Sequence, residues 1–339
     1  MQLSLPDFLS LRRELPVIDV RSEGEFNLGH IRGASNIPLL NNAERVIVGT
    51  AYKQKGQRFA VHEGFRLVGP RLIELIAEAE RVAGQSDVIV HCWRGGMRSA
   101  NFAQFIGMDG IRSHVLKGGY KTYRQAALES FQQPLQLISI TGCTGSGKSE
   151  VLRELARQGE QVVDLEQLAH HKGSAFGGLL QPPQPTTEQF QNDLFEQLLT
   201  LDPTRRIWVE DESIAIGKIF LPPDFWKQLH ASPMVRMEVP KEVRINRLVE
   251  EYGPSDRQEF LIIMQKITKK LGGQNFNEAS ERLARNDMSG VIDILLTYYD
   301  KAYVRSMENR SNQLLFSPDW NGQQIGQFAK DLINRYERN

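Results

Sequence analysis

The chain has 339 residues, with 41 lysines and arginines against 41 aspartates and glutamates, so no net charge marks it as a nucleic-acid or membrane-surface protein. Its two cysteines, Cys92 and Cys143, lie in separate motifs and exclude a disulfide framework or a zinc-ligand spacing. No apolar run is long enough to span a bilayer, and residues 1–16 lack the apolar stretch of a secretion signal, so a cytoplasmic chain without membrane association is expected.

In chain order, Pro16–Arg21 predicts a short strand ending in charge, and Ser22–Phe26 a capped helical turn. The glycines and proline of Gly29–Pro38 mark turns around another short strand. Apolar residues recur at helical spacing from Leu72 to Val82, predicting a helix over Pro70–Ala83. Asp87–Val90 then reads as a buried strand that delivers Cys92 into the loop Trp93-Arg94-Gly95-Gly96-Met97-Arg98, with Ser99 opening a helix. A thiol with an ordinary pKa of about 8.5 becomes a nucleophile when amides, a helix N-terminus or cations favour its anion. Gly95 and Gly96 let the backbone curl its amides toward such an anion, and Arg94 and Arg98 supply positive charge. Val115–Tyr120 reads as a last strand and turn, and strands alternating with helices imply a parallel α/β sheet.

The motifs Asp19-Val20-Arg21, Glu25-Phe26, Gly29-His30-Ile31, Gly33-Ala34, Asn36-Ile37-Pro38, the Cys92 loop and Leu116-Lys117-Gly118-Gly119 resemble, in this order, a rhodanese domain. The resemblance implies that Cys92 carries sulfur or selenium as a covalent adduct, cradled by Arg94, Gly95, Gly96 and Arg98. Residues 1–125 are therefore expected as a rhodanese-like domain and 126–133 as a helical linker. Residues 134–339 follow as a second α/β domain with C-terminal helices.

Leu135–Ile140 predicts a strand, and Gly142-Cys143-Thr144-Gly145-Ser146-Gly147-Lys148-Ser149 matches the P-loop pattern before a helix over Glu150–Arg157. Loop amides of this kind surround phosphate oxygens, Lys148 adds charge, and Ser149 can reach a Mg²⁺. Cys143 occupies a free position of the motif. Asp164, at the carboxyl end of the next strand, and the acidic cluster around Asp211 and Glu212 after the strand beginning at Arg206 are candidate phosphate or metal contacts. Arg244 and Arg247, on neighbouring faces of a helix over Lys241–Glu251, are candidate tRNA or phosphate contacts. From Asp256 onward the chain reads as helices.

Taken together, the rhodanese motifs, the P-loop, the His171-Lys172-Gly173-Ser174 stretch, Val209–Ser213 and Tyr298-Tyr299-Asp300 resemble the bacterial tRNA 2-selenouridine synthase family. That resemblance implies a selenotransferase acting on the anticodon region of tRNA, at a wobble 2-thiouridine. Geranyl diphosphate alkylates the sulfur, and selenium from selenophosphate, held on Cys92 as S-selanylcysteine, displaces the S-geranyl group. No tightly bound cofactor is expected; selenophosphate and geranyl diphosphate are co-substrates, Mg²⁺ a candidate ion, and a selenophosphate-supplying enzyme a candidate partner. The P-loop suits geranyl diphosphate and ATP alike, since both present adjacent phosphates. Two other classes stand beside this reading: a rhodanese-type sulfurtransferase coupled to a P-loop NTPase and acting on a small molecule or protein thiol, and a nucleotide-switched binding module without catalysis.

Overall fold

The computed structural model describes residues 1–308 and 310–338. It divides into two compact units, residues 1–130 with 191–193, and residues 131–190 with 194–339.

The first unit is built on a five-stranded parallel sheet ordered Gln2–Leu3, Ser113–Leu116, Val88–His91, Val17–Asp19, Ser35–Asn36. Val88–His91 is the central strand and all four of its residues are buried, which is why Val88, Ile89 and Val90 run apolar without alternation. Ser22 and Glu25 form a capping box on the helix Glu23–Leu28. The two-residue edge strand Gln2–Leu3 and the helices Leu5–Leu11, Asn42–Lys55 and Gln57–Val68 have no counterpart in the sequence reading. The last two bury only Ala51, Ala60 and Val68, so their apolar residues do not form the stripe that periodicity detects. The expected linker at 126–133 is corrected: the helix Gly119–Ser130 buries Tyr120, Tyr123 and Ala127 and belongs to the first unit.

In the second unit the parallel strands are ordered Leu314–Phe316, Met234–Arg236, Leu137–Thr141, Ile207–Glu210, Gln161–Val163. Leu137–Thr141 is central, with the next strands in sequence laid to one side and the later ones to the other. Such a switch of direction opens a crevice at the carboxyl end of the central strand, where the P-loop begins. The expectation of helices alone after Asp256 is corrected by Leu314–Phe316, a three-residue edge strand too short to show a period. The helices between Arg257 and Glu308 pack around a core of their own with Phe176 and Phe260, whose rings stack at 4.5 Å. Among the described residues, no helix is long and apolar enough to cross a membrane.

Candidate functional site

The cysteine loop begins where the central strand of the first unit ends. Cys92 is 3% exposed and packs with Leu39, Leu40, Val68, Phe102 and other apolar residues, so the thiol is more enclosed than a surface nucleophile would be. Its sulfur lies 3.2 Å from Ser99 Oγ, and that hydroxyl donates to Gly96 O at 3.1 Å. A hydroxyl can turn, so Ser99 is placed to give its proton to a sulfur or selenium anion. The helix Met97–Met108 starts two residues earlier than the sequence suggests, which brings Ser99 into its first turn. Among the described residues, the amides of Trp93, Arg94, Gly95 and Gly96 take no backbone acceptor, and those of Arg94 and Gly95 lie against Gly119.

What holds the loop in this shape is backbone against backbone. Gly95 and Gly119 both have φ of +62°, and each lies against the other's turn. A Cβ on Gly119 would stand 2.2 Å from Cys92 O and 2.4 Å from Gly95 N. Gly119→Ala should therefore cost about 2 kcal/mol or more, from the left-handed backbone and the clash together. Thermal unfolding of the variant checks this, and selenation should fall with it.

Beneath the loop, Arg21 is fully buried and hydrogen-bonds both Asp19 carboxylate oxygens and Gly29 O, with its guanidinium 3.8 Å from the centre of the Tyr120 ring. Burial pushes the Asp19 carboxyl up, but His91 and Arg21 outweigh it and hold it below the usual carboxylate range. Burial also lowers His91, whose Nε2 lies 3.7 Å from Asp19 Oδ2. Arg98, expected to cradle the adduct, forms a two-pronged pair with Glu25 at 2.7 and 3.2 Å, which ties the loop to the capped helix and shares its charge with that carboxylate. Arg94 is exposed and, among the described residues, has no acidic partner, so the loop's uncommitted cation is this one.

The P-loop wraps a cavity of about 750 Å³. Gly147, at φ +81°, precedes the helix Lys148–Arg157, and a Cβ there would stand 2.8 Å from the Arg247 guanidinium. Thr144, Gly145, Gly147, Lys148 and Ser149 line the cavity, whereas Ser146 is buried and its hydroxyl lies close under Gly142. Lys148 Nζ lies 3.5 Å from Gly142 O, folded over the loop. Arg244 is buried, bonds both oxygens of Asp300 at 2.8 Å and donates to Thr144 O. It braces the loop, so the expected RNA contact is not offered by this side chain. Arg247 donates to Gly145 O at 3.1 Å and faces the cavity.

Acidic groups close the opposite side. Ser149 Oγ donates to Glu166 at 2.7 Å, and a Cβ on Gly173 would meet the Glu212 carboxylate at 2.8 Å. Asp164 and Asp211 both line the cavity; Asp164 also caps the helix Leu165–Ala169 through Gln167 N, and Asp211 pairs with Arg310. Glu166, Glu210 and Arg310 are neighbours of this wall that the sequence reading does not name as site residues; Glu210 is buried, and burial and Asp164 push its carboxyl well above the usual range. Burial and the nearby Glu166 push Glu212 up to about 8, against the pull of Lys148. Since the unfolded group ionises near 4.5, the folded chain holds the extra proton between these values and loses stability as pH rises across that window. Without divalent cations, affinity for inorganic diphosphate should drop several-fold as pH passes 8. Glu212→Gln should flatten that drop, which calorimetric titration of both chains would show. Cys143 is pushed up to about 11 by burial and Asp300, and a thiol held protonated is no nucleophile at neutral pH.

These two sites are matched by two families. The rhodanese-like domain family matches residues 5–126, and the tRNA 2-selenouridine synthase AAA domain family matches residues 135–333. The tRNA 2-selenouridine synthase of Nitrosomonas europaea is 33% identical, covering 88% of this chain and 90% of that protein. Those of Nitrosomonas eutropha and Shewanella sediminis are each 33% identical, covering 88% and 89% of this chain and 89% and 90% of theirs. With both domains matched in order and the alignments running through the cysteine loop and the P-loop alike, the chain belongs to the tRNA 2-selenouridine synthase family of enzymes.

Proposed function

We propose that the chain acts on tRNA carrying 2-thiouridine at the wobble position, first geranylating the sulfur and then exchanging it for selenium. The observation that carries this reading is a single chain bearing both a thiol at the head of a glycine-rich loop, 3.2 Å from the Ser99 hydroxyl, and a P-loop cavity with room for a diphosphate and the group attached to it. In the first step a sulfur lone pair bonds to C1 of geranyl diphosphate, the C–O bond breaks onto diphosphate, and the base loses its N3 proton. Lys148 and the loop amides stabilise the charge that gathers on the departing oxygens. Ser149, Glu166 and Glu212 offer oxygens suited to a Mg²⁺ arriving with that diphosphate, which would neutralise its charge, although among the described residues no preformed three-ligand metal site exists.

In the second step, selenium on the Cys92 sulfur attacks C2 of the base, and geranyl thiolate leaves with the C–S electrons. Alkylation is what makes that sulfur able to depart. A cellular thiol then cleaves the Se–S bond, leaving selenium on the base and Cys92 as a mixed disulfide. Selenide, freed from selenophosphate by water attack at phosphorus, reopens that disulfide and reloads the carrier, so no external oxidant is consumed. A separate enzyme supplies the selenophosphate, and the reaction belongs to the cytoplasm. The test is mass analysis of nucleosides from thiolated tRNA incubated with the chain. Geranyl diphosphate alone should give the S-geranyl nucleoside, and addition of selenophosphate with a low-molecular-weight thiol and its disulfide, which load and release the Cys92 carrier, should give 2-selenouridine. Selenouridine formed at full rate without geranyl diphosphate would overturn the two-step reading.

A further inference from the structure

The first unit holds a second cavity, of about 150 Å³, beside the cysteine loop. One wall is the helix Met97–Met108, which grows out of the loop and contributes Met97, Arg98 and Phe105. The facing wall is the helix pair Asn42–Lys55 and Gln57–Val68, through Tyr52, Val61 and Phe65. The floor residues Leu39, Leu40 and Val68 belong to the same apolar cluster as Cys92. The one charged side chain on the lining, Arg98, is neutralised by Glu25. Tyr52 is 58% exposed and Phe65 56%, large apolar groups left open at the rim.

We propose that this cavity receives the hydrocarbon chain of the S-geranyl intermediate while selenium attacks from Cys92. The inference rests on the two-step reading above and adds where the chain lies. A prenyl group bonded to the very sulfur being displaced has to lie close to the selenium carrier, and the cavity is continuous with the packing around that carrier. A largely apolar space of about 150 Å³ takes about a six-carbon hydrocarbon. One isoprene unit therefore fills the interior, and the second lies along Tyr52 and Phe65 at the rim. Burial of several methylene-sized groups makes the chain a handle for binding and not only a leaving group. The helix pair that forms the outer wall thus reads substrate for the cysteine loop.

The experiment compares selenation of two thiolated anticodon-loop RNAs made chemically, one S-geranylated and one S-methylated, by the full chain. The ratio of their kcat/KM values does not depend on the fraction of enzyme folded. The wild-type ratio should favour geranyl by about 100-fold, as expected for several buried carbons. In a Val61→Asn, Phe65→Gln double variant it should fall at least tenfold, and Phe65→Leu should restore most of it. Equal wild-type rates on both RNAs would overturn the cavity assignment while leaving the two-step reading intact. So would a double variant whose ratio is unchanged, or one whose only change is loss of a dimer in sedimentation, which would assign the patch to a second copy. No selenation of the S-geranyl RNA at all would instead overturn the two-step reading itself.

Discussion

Cys92→Ala should lower selenouridine formation by at least about a thousandfold while the S-geranyl nucleoside accumulates. In the proposed reaction the covalent carrier is a single sulfur atom, and no other side chain in its loop can form a bond to selenium. The second cysteine is held protonated and stands in the P-loop of the other unit. The substitution should leave the fold intact, because it removes one atom from an apolar cluster and costs about 1 kcal/mol. Geranylation draws on the P-loop and should continue, so nucleoside analysis of the alanine variant should show the intermediate in place of the product. Selenouridine made by this variant at the wild-type rate would end the carrier role of Cys92.

Lys148→Ala should reduce geranyl transfer by about a hundredfold and leave selenation of chemically S-geranylated RNA in place. The ammonium lies over the loop near Gly142 O, from which it can swing to an incoming diphosphate. Its charge acts most strongly when the C–O bond breaks and negative charge builds on the leaving oxygens, and loss of one such group commonly costs two to three orders of magnitude. The two assays, run on the same preparation, separate a defect in the P-loop from general misfolding. Undiminished geranylation together with lost ATP binding would favour a kinase-like use of the loop.

Both loops are legible in the sequence because each is local. A continuous apolar run, a Cys-x-Arg-Gly-Gly turn and a helix follow one another within about a dozen residues, and so do the strand, glycine-rich loop and helix of the phosphate site. The chemistry there depends on backbone amides whose directions are set by glycines at fixed offsets. Charge partners were not legible in this way. Arg98 reads as a cation for the thiolate until the fold brings Glu25, 73 positions earlier, to its guanidinium. Arg244 reads as an open phosphate contact until Asp300, 56 positions later, encloses it. Glu166 looks like the end of a strand, yet it turns toward Ser149 and Glu212 and makes the acid wall of the cavity.

The sequence by itself determined the class of the two domains, the position of the cysteine loop and the position of the P-loop, because these rest on short-range backbone geometry written in consecutive residues. Tertiary structure alone decided how far the thiol is buried, which cations are paired, which carboxyls are pushed above their usual range and where an apolar cavity opens beside the cysteine loop. Those properties come from side chains distant in sequence sharing one low-dielectric space, and neither burial nor partner choice is encoded in any one segment.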